Sequence, residues 1–219
     1  DEDFYGPGEN GHPRGRVTRI VQDYSETRYT EYHTSTDIAK TAEFYFDGEL
    51  LHTDTYNRFG QILKSVNVDG SYNSYGYHAA VGSDALKMAY YRYYNERGIL
   101  LYSETYDSRG RLTRLLSYIE DGSTRLLVYD QTRTYSGSTA SIKTLSYSYS
   151  DETPKRLLSL DENSEVSSAA GVVTKATKST HYFYNASGRR FTERRENRTF
   201  YYDLSAPGSE TLRTHKLMR

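Results

Sequence analysis

The chain has 219 residues, with 28 Lys and Arg against 29 Asp and Glu and a formal net charge of -1 at pH 7, so no global field draws it to nucleic acid or to an anionic membrane. It contains no cysteine, which excludes disulfide frameworks, thiolate metal sites and cysteine nucleophiles together; no run approaches the roughly 18 apolar residues of a membrane helix. With 36% hydrophobic residues, 24 Tyr, 7 Phe and no Trp, it is too aromatic for disorder and lean for a thick two-layer core, whereas tyrosine, which buries a ring and keeps its hydroxyl wet, suits thin sheets.

From the N-terminus, residues 1–15 read as a flexible tether, acidic and rich in Gly, that spaces the protein from a lipid anchor preceding Asp1. Residues 16–219 read as one repeat-built β domain, with a composition shift at 70–84 as its candidate subdivision. The GxGxxG match Gly6-Pro7-Gly8-Glu9-Asn10-Gly11 lacks a preceding strand and a following helix, so the phosphate-cradling geometry is missing and a linker is the simpler reading. Weak helical signals at 37–43 and 83–89 each lead directly into aromatic strands.

Self-similarity is the strongest signal. Tyr56-Asn57-Arg58-Phe59-Gly60, Tyr94-Asn95-Glu96-Arg97-Gly98, Tyr106-Asp107-Ser108-Arg109-Gly110 and Tyr184-Asn185-Ala186-Ser187-Gly188 share one frame. Each is followed by a strand-like run, at 61–68, 99–106, 111–119 and 189–202. Gly15-Arg16-Val17-Thr18-Arg19-Ile20 repeats Gly110-Arg111-Leu112-Thr113-Arg114-Leu115 as a partial copy. Asn or Asp at the first position of a type I turn caps it with its side chain, and Gly supplies the left-handed residue of a G1 bulge. Such a turn reverses the chain into an antiparallel hairpin. Tyr before the turn packs across to the partner strand.

Asp47-Gly48, Asp69-Gly70 and Asp121-Gly122 sit between strand-like runs and read as two-residue hairpin loops. Leu145-Ser146-Tyr147-Ser148-Tyr149 alternates strictly, which sends its large side chains to one face. Tyr90-Tyr91-Arg92-Tyr93-Tyr94 and Thr199-Phe200-Tyr201-Tyr202 place aromatics on both faces. Residues 163–179, rich in Ser, Ala and Val, read as a long exposed loop or a weak hairpin. The fold class is all-β: an antiparallel meander of repeated hairpins forming one extended, twisted, single-layered sheet or two successive ones.

The frame Tyr-Asx-x-x-Gly followed by Arg and Leu, best seen from Tyr106 to Leu112, resembles the YD repeat of bacterial Rhs and teneurin-type proteins. Tyr, Gly and Leu between Tyr93 and Leu112 are also similar to MORN-like repeats. Asn replaces Asp in three of the four full copies, and Gln61 and Ile99 stand where the family has Arg. The resemblance implies an extracellular or cell-surface bacterial protein whose repeats build β-sheets. It carries no catalytic residue with it, and so few repeats would not enclose a cargo.

Chemistry-bearing motifs are sparse. His12, His33, His52, His78, His181 and His215 fall in no HxH or HExxH spacing, and neither a GxSxG elbow nor a P-loop occurs. No metal, cofactor or catalytic residue is assigned. Glu193 and Glu196 interrupt the cluster Arg189, Arg190, Arg194, Arg195 and Arg198, so a solvated hairpin face explains it better than a nucleic-acid interface. Charges such as Arg111 and Arg114 at both strand parities exclude a lipid-facing barrel stripe. The remaining lead is aromatic: Tyr91, Tyr93, Tyr147, Tyr149, Tyr182 and Tyr184 form a candidate binding surface for glycan or protein, against which stands their use as cross-strand ladders.

These readings converge on a non-enzymatic, secreted or surface-tethered binding protein. A structural or immunity-type component of an Rhs-like system is the alternative, and a glycan-cleaving enzyme, which needs two carboxyls flanking a deep pocket, is a third. The unpaired edges of an open meander suit edge-to-edge dimers.

Overall fold

The computed structural model describes residues 2–4, 16–34, 36–79, 87–137, 139–167, 172–203 and 210–215. The chain divides into two compact units, Asp1–Leu100 and Leu101–Arg219. The first holds β1 (Glu2–Phe4), β2 (Val17–Gln22), β3 (Ser25–Tyr32), β4 (Ala39–Phe46), β5 (Glu49–Tyr56), β6 (Ile62–Asn67), β7 (Tyr72–Tyr77) and β8 (Met88–Tyr94). The second holds β9 (Leu100–Tyr106), which starts one residue before the division, then β10 (Leu112–Asp121), β11 (Thr124–Ser136), β12 (Thr139–Tyr149), β13 (Leu157–Ser167), β14 (Val172–Tyr184), β15 (Arg190–Asp203) and β16 (Glu210–His215). Within each unit the order of strands in space is their order in sequence, and the pairings are antiparallel. The all-β meander expected from the sequence is the fold.

The turn chemistry is uniform across the four full copies. In each, the Asx N–H donates to the carbonyl four residues on, at 2.9–3.0 Å, and the Gly N–H donates back to the Asx carbonyl at 2.8–3.0 Å. The Asx Oδ1 accepts the N–H four residues on: Gln61 at 3.1 Å, Ile99 at 2.8 Å, and Arg111 and Arg189 at 2.9 Å. One side chain thus fastens both sides of the reversal, which is why Asn and Asp serve equally. The glycines take φ of 80° (Gly60), 73° (Gly98), 79° (Gly110) and 78° (Gly188), the left-handed region in which a Cβ is disfavoured.

Several local expectations are corrected. The Asp69-Gly70 loop is a further copy of the same reversal: Asn67 N–H donates to the Ser71 carbonyl at 2.9 Å and Gly70 N–H to the Asn67 carbonyl at 3.0 Å, while Asp69 Oδ1 takes over the capping of Ser71 N–H. Asp47-Gly48 is a two-residue loop as expected, with φ of 50° and 81°. At Asp121-Gly122 the frame moves by one, because Asp121 pairs with Thr124 and the loop is Gly122-Ser123. The Asp23-Tyr24 loop between Gln22 and Ser25 carries no Gly and puts Asp23 at φ 53°. Of the two readings of 163–179 the hairpin holds and the loop does not: 163–167 and 172–179 belong to β13 and β14, paired from Ser159–His181 to Ser167–Val173. No helix forms at 39–43, which lies in β4, or at 88–89, which lies in β8; alternation in these segments serves a sheet, and neighbouring strands override the weak helical signal. Residues 83–86 lie outside the described residues.

Glu2–Phe4, within the stretch read as a tether, pair with β2, and the remainder of 1–15, including the GxGxxG match, lies outside the described residues. Of the stretch 70–84, residues 72–77 form β7 and 80–84 are outside the description.

The lean composition has a direct structural counterpart. Among the described residues Ala42 is the one buried hydrophobic, and no large side chain is fully buried. Cohesion therefore comes from half-buried rings lying across strands. Tyr72 stacks on Tyr94 at 4.5 Å between centroids, Lys64 Nζ lies 4.1 Å from the Tyr72 ring, and Arg28 lies 4.2 Å from Tyr45. Pairs of this kind contribute about 0.5–1 kcal/mol each where exposed.

Candidate functional site

Alternation assigns the six candidate tyrosines to faces. In the first unit Tyr91 and Tyr93 share one face of β8, opposite Tyr75 and Asn73, while Tyr90, Arg92 and Tyr94 occupy the other. Tyr91 donates its hydroxyl to Asn73 Oδ1 at 2.8 Å and its ring tilts against Tyr75 at 5.4 Å. In the second unit Tyr147 lies opposite Leu160, and Leu160 opposite Thr180. Tyr147 and Tyr149 on β12, and Tyr182 and Tyr184 on β14, therefore share one face. The alternation read from Leu145 to Tyr149 is realised there.

The hydroxyls divide these four. Tyr149 donates to the Leu127 carbonyl at 2.9 Å and Tyr184 to the Leu157 carbonyl at 2.7 Å, so both tie their strand to the preceding one. Tyr147 and Tyr182 are half-buried, and neither hydroxyl makes a hydrogen bond among the described residues. Burial, followed by the Asp130 charge, pushes the Tyr147 hydroxyl above its ordinary pKa. Arg190 lies 5.2 Å from the Tyr182 ring centroid, and Leu158, 40% exposed, stands on β13 between the two strands. The same face carries the ion pairs Arg114–Asp130 at 3.0 Å and Lys143–Glu162 at 2.8 Å, with Lys178 opposite Glu162.

The opposite face of the second unit carries a shallow depression of about 310 Å³ across β11–β14. Its floor is a transverse row of directly opposed residues: Gln131 faces Thr144, Thr144 faces Asn163, and Asn163 faces Thr177. Gln131 donates to Thr144 Oγ1 at 3.3 Å and to the Tyr129 hydroxyl at 2.9 Å, and accepts from Arg133 at 2.7 Å. Ile142 borders the row, as does Lys175, which pairs with Glu165 at 3.2 Å. Sequence reading missed this row because its residues are ordinary in a strand; only register brings them together.

A third cluster lies in the first unit. Asp54, 4% exposed, sits between Ala42 and Ser65 in register. Tyr56 donates to its Oδ2 at 3.2 Å, while His52 Nε2 stands 3.7 Å from its Oδ1, an oxygen buried without a hydrogen-bond partner. His52 itself stacks on Phe44 at 4.4 Å. Among the described residues no group of three or more His, Asp or Glu is arranged to hold a metal ion. His33 Nε2 lies 3.0 Å from the Tyr56 carbonyl. In the arginine cluster Arg194 pairs with Glu196 at 2.8 Å.

No protein-family model matches the chain, and no curated protein does. Among solved structures, one described as "Crystal Structure of TcdB2-TccC3-TEV" aligns with a TM-score of 0.33 and 14% identity, over 97% of this chain and 13% of that chain. The chain thus spans about one eighth of that structure's length.

Proposed function

We propose that this is a non-enzymatic β-repeat protein of the bacterial surface or exterior that binds a glycan or protein partner through its sheet faces. The supporting observation is the pair Tyr147 and Tyr182: half-exposed rings on one face, beside the exposed Leu158, with hydroxyls that make no hydrogen bond among the described residues. Rings with a free polar tip make contact area at low entropic cost. The other candidate tyrosines contribute differently, since Tyr149 and Tyr184 spend their hydroxyls on backbone carbonyls.

A glycan array combined with pull-down from neighbouring-cell and host extracts tests the reading. A partner whose capture is lost in Tyr147→Ala and Tyr182→Ala, with the fold retained by circular dichroism, is the expected result. The absence of any retained glycan or protein overturns it.

A further inference from the structure

We infer that the depression on the other face of the second unit is a separate binding site for a neutral oligosaccharide, laid across β11–β14 over the row Gln131, Thr144, Asn163 and Thr177. Three properties point to that class of ligand.

The first is the complement of groups. A saccharide presents hydroxyls that both donate and accept, and a carboxamide is the side chain that answers both. Asn163 is exposed, and its carboxamide makes no hydrogen bond among the described residues. Thr177 is likewise uncommitted, and Thr144 Oγ1, which accepts from Gln131, keeps its own proton to donate. Gln131 is fixed by three contacts and so supplies a pre-oriented end to the row.

The second is charge. All four floor residues are neutral, Lys175 at the border is matched by Glu165 at 3.2 Å, and the Arg133 guanidinium beside the row is turned onto Gln131 Oε1 at 2.7 Å. An uncharged ligand leaves the Lys175–Glu165 pair intact on binding.

The third is shape. Antiparallel strands lie about 4.8 Å apart, so the row from Gln131 to Thr177 crosses three gaps and runs about 14 Å. It runs perpendicular to the strands, so an extended peptide, which gains its hydrogen bonds by pairing along a strand edge, has no backbone partner on it. The volume of about 310 Å³ lies at the small end of the roughly 300–1,000 Å³ typical of ligand sites, the scale of a short saccharide, and Ile142 at its border offers an apolar contact for a ring face.

The test is saturation-transfer NMR on the full chain with chito-, cello- and malto-oligosaccharides as probes. Asn163→Ala and Thr177→Val serve as variants because neither side chain supports the fold through a hydrogen bond. At least one probe is expected to show transfer at millimolar concentration, and Asn163→Ala to weaken it about tenfold, the loss of one to two hydrogen bonds. No transfer from any probe overturns the inference and leaves the Tyr147 and Tyr182 face to be judged by its own screen. Transfer that survives both variants but is lost in Tyr147→Ala also overturns it, while supporting the tyrosine face.

Discussion

Tyr135 donates its hydroxyl to the carbonyl of Leu112 at 2.9 Å, reaching from the end of β11 to the first residue of β10. The same contact recurs where Tyr77 donates to Ile62, the first residue of β6, at 2.8 Å, and where Tyr184 donates to Leu157, the first residue of β13, at 2.7 Å. Tyr32 donates in the same manner to Val17, the first residue of β2. An Arg precedes three of the four acceptors and lies against the ring of the donor: Arg111 on Tyr135 at 4.2 Å, Arg156 on Tyr184 at 5.9 Å, and Arg16 on Tyr32 at 4.6 Å. This accounts for the repeat beyond its turn. In Tyr106 to Leu112, Asp107 caps the reversal and holds Arg111 at 2.8 Å, Arg111 covers Tyr135, and Tyr135 ties down the strand that begins at Leu112.

Removing the hydroxyl alone, in Tyr135→Phe, should cost about 1 kcal/mol, the typical net value of one hydrogen bond. Tyr135→Ala should cost about 3 kcal/mol, because it also removes the ring under Arg111 and the area it covers. Urea denaturation monitored by circular dichroism separates the two. Equal losses in both variants would mean that the hydroxyl contact, not the ring, carries the strap.

The turn makes a sharper demand. Asn95 is 3% exposed, and its Oδ1 accepts from both Arg97 and Ile99. Asn95→Ala leaves two backbone donors without that acceptor and should destabilise by about 1–2 kcal/mol. At Gly98 nothing lies within 4 Å of an added Cβ, so the cost of Gly98→Ala is that of the left-handed backbone alone, about 1 kcal/mol. Chemical denaturation of the two single variants checks both values.

The reversals were legible in the sequence because Asx and Gly act within five residues, where spacing is visible. The strap was not. Tyr135 and Leu112 are 23 residues apart, and nothing in Leu112 marks its carbonyl as an acceptor. Asn67 was missed for a related reason: Val66 precedes it where the other copies have Tyr, and Asp69-Gly70 offered a stronger two-residue signal. In the partial copy Gly15 lies outside the described residues, and Arg16 lies on the Tyr32 ring as Arg111 lies on Tyr135. The candidate tyrosine face was half legible. Alternation placed Tyr147 and Tyr149 together, but which hydroxyl is spent depends on the neighbouring strand.

Alkali and acid should each weaken the fold, through different groups. Burial, followed by the Glu104 carboxylate, pushes Tyr106 up to about 12 from an ordinary 10, and burial likewise raises Tyr75, Tyr77, Tyr147 and Tyr149. A group whose pKa is raised by folding lends stability fully below its unfolded value and loses it as pH climbs through the folded one. Stability should therefore fall between pH 10 and 12. On the acid side, hydrogen bonds from Arg28 and Arg19 hold Glu26 down to about 2 from 4.5; its contribution persists above pH 4.5 and goes as pH drops toward 2. Thermal midpoints across pH, with tyrosinate absorbance followed in parallel, give the comparison.

Gly76 faces Tyr90 across β7 and β8, and a Cβ on Gly76 would lie 2.1 Å from the Tyr90 ring. Arg92 also lies against that ring, 4.4 Å from its centroid. Gly76→Ala must therefore displace an aromatic that has a second partner, and should destabilise by about 1–3 kcal/mol. In the double variant Gly76→Ala with Tyr90→Ala the clash is gone, so the added methyl should cost little beyond Tyr90→Ala itself. A double-mutant cycle in urea measures the coupling, and additivity of the two changes would show that the ring does not occupy this position in solution.

Asp54 holds one buried oxygen without a hydrogen-bond partner, a costly arrangement for a carboxylate. Asp54→Asn keeps an acceptor for the Tyr56 hydroxyl and turns an amide donor toward His52 Nε2, now 3.7 Å from Oδ1. The substitution should leave stability unchanged or raise it by about 1 kcal/mol, whereas Asp54→Ala, which strands the Tyr56 hydroxyl, should lower it. A second readout comes from Tyr56, whose hydroxyl is pushed above its ordinary range first by burial and then by the Asp54 charge. In Asp54→Asn its titration should move down while staying above that of free tyrosine, because burial remains. A large loss of stability in Asp54→Asn, with the Tyr56 titration unmoved, would show that the carboxylate is engaged in solution by a partner other than Tyr56.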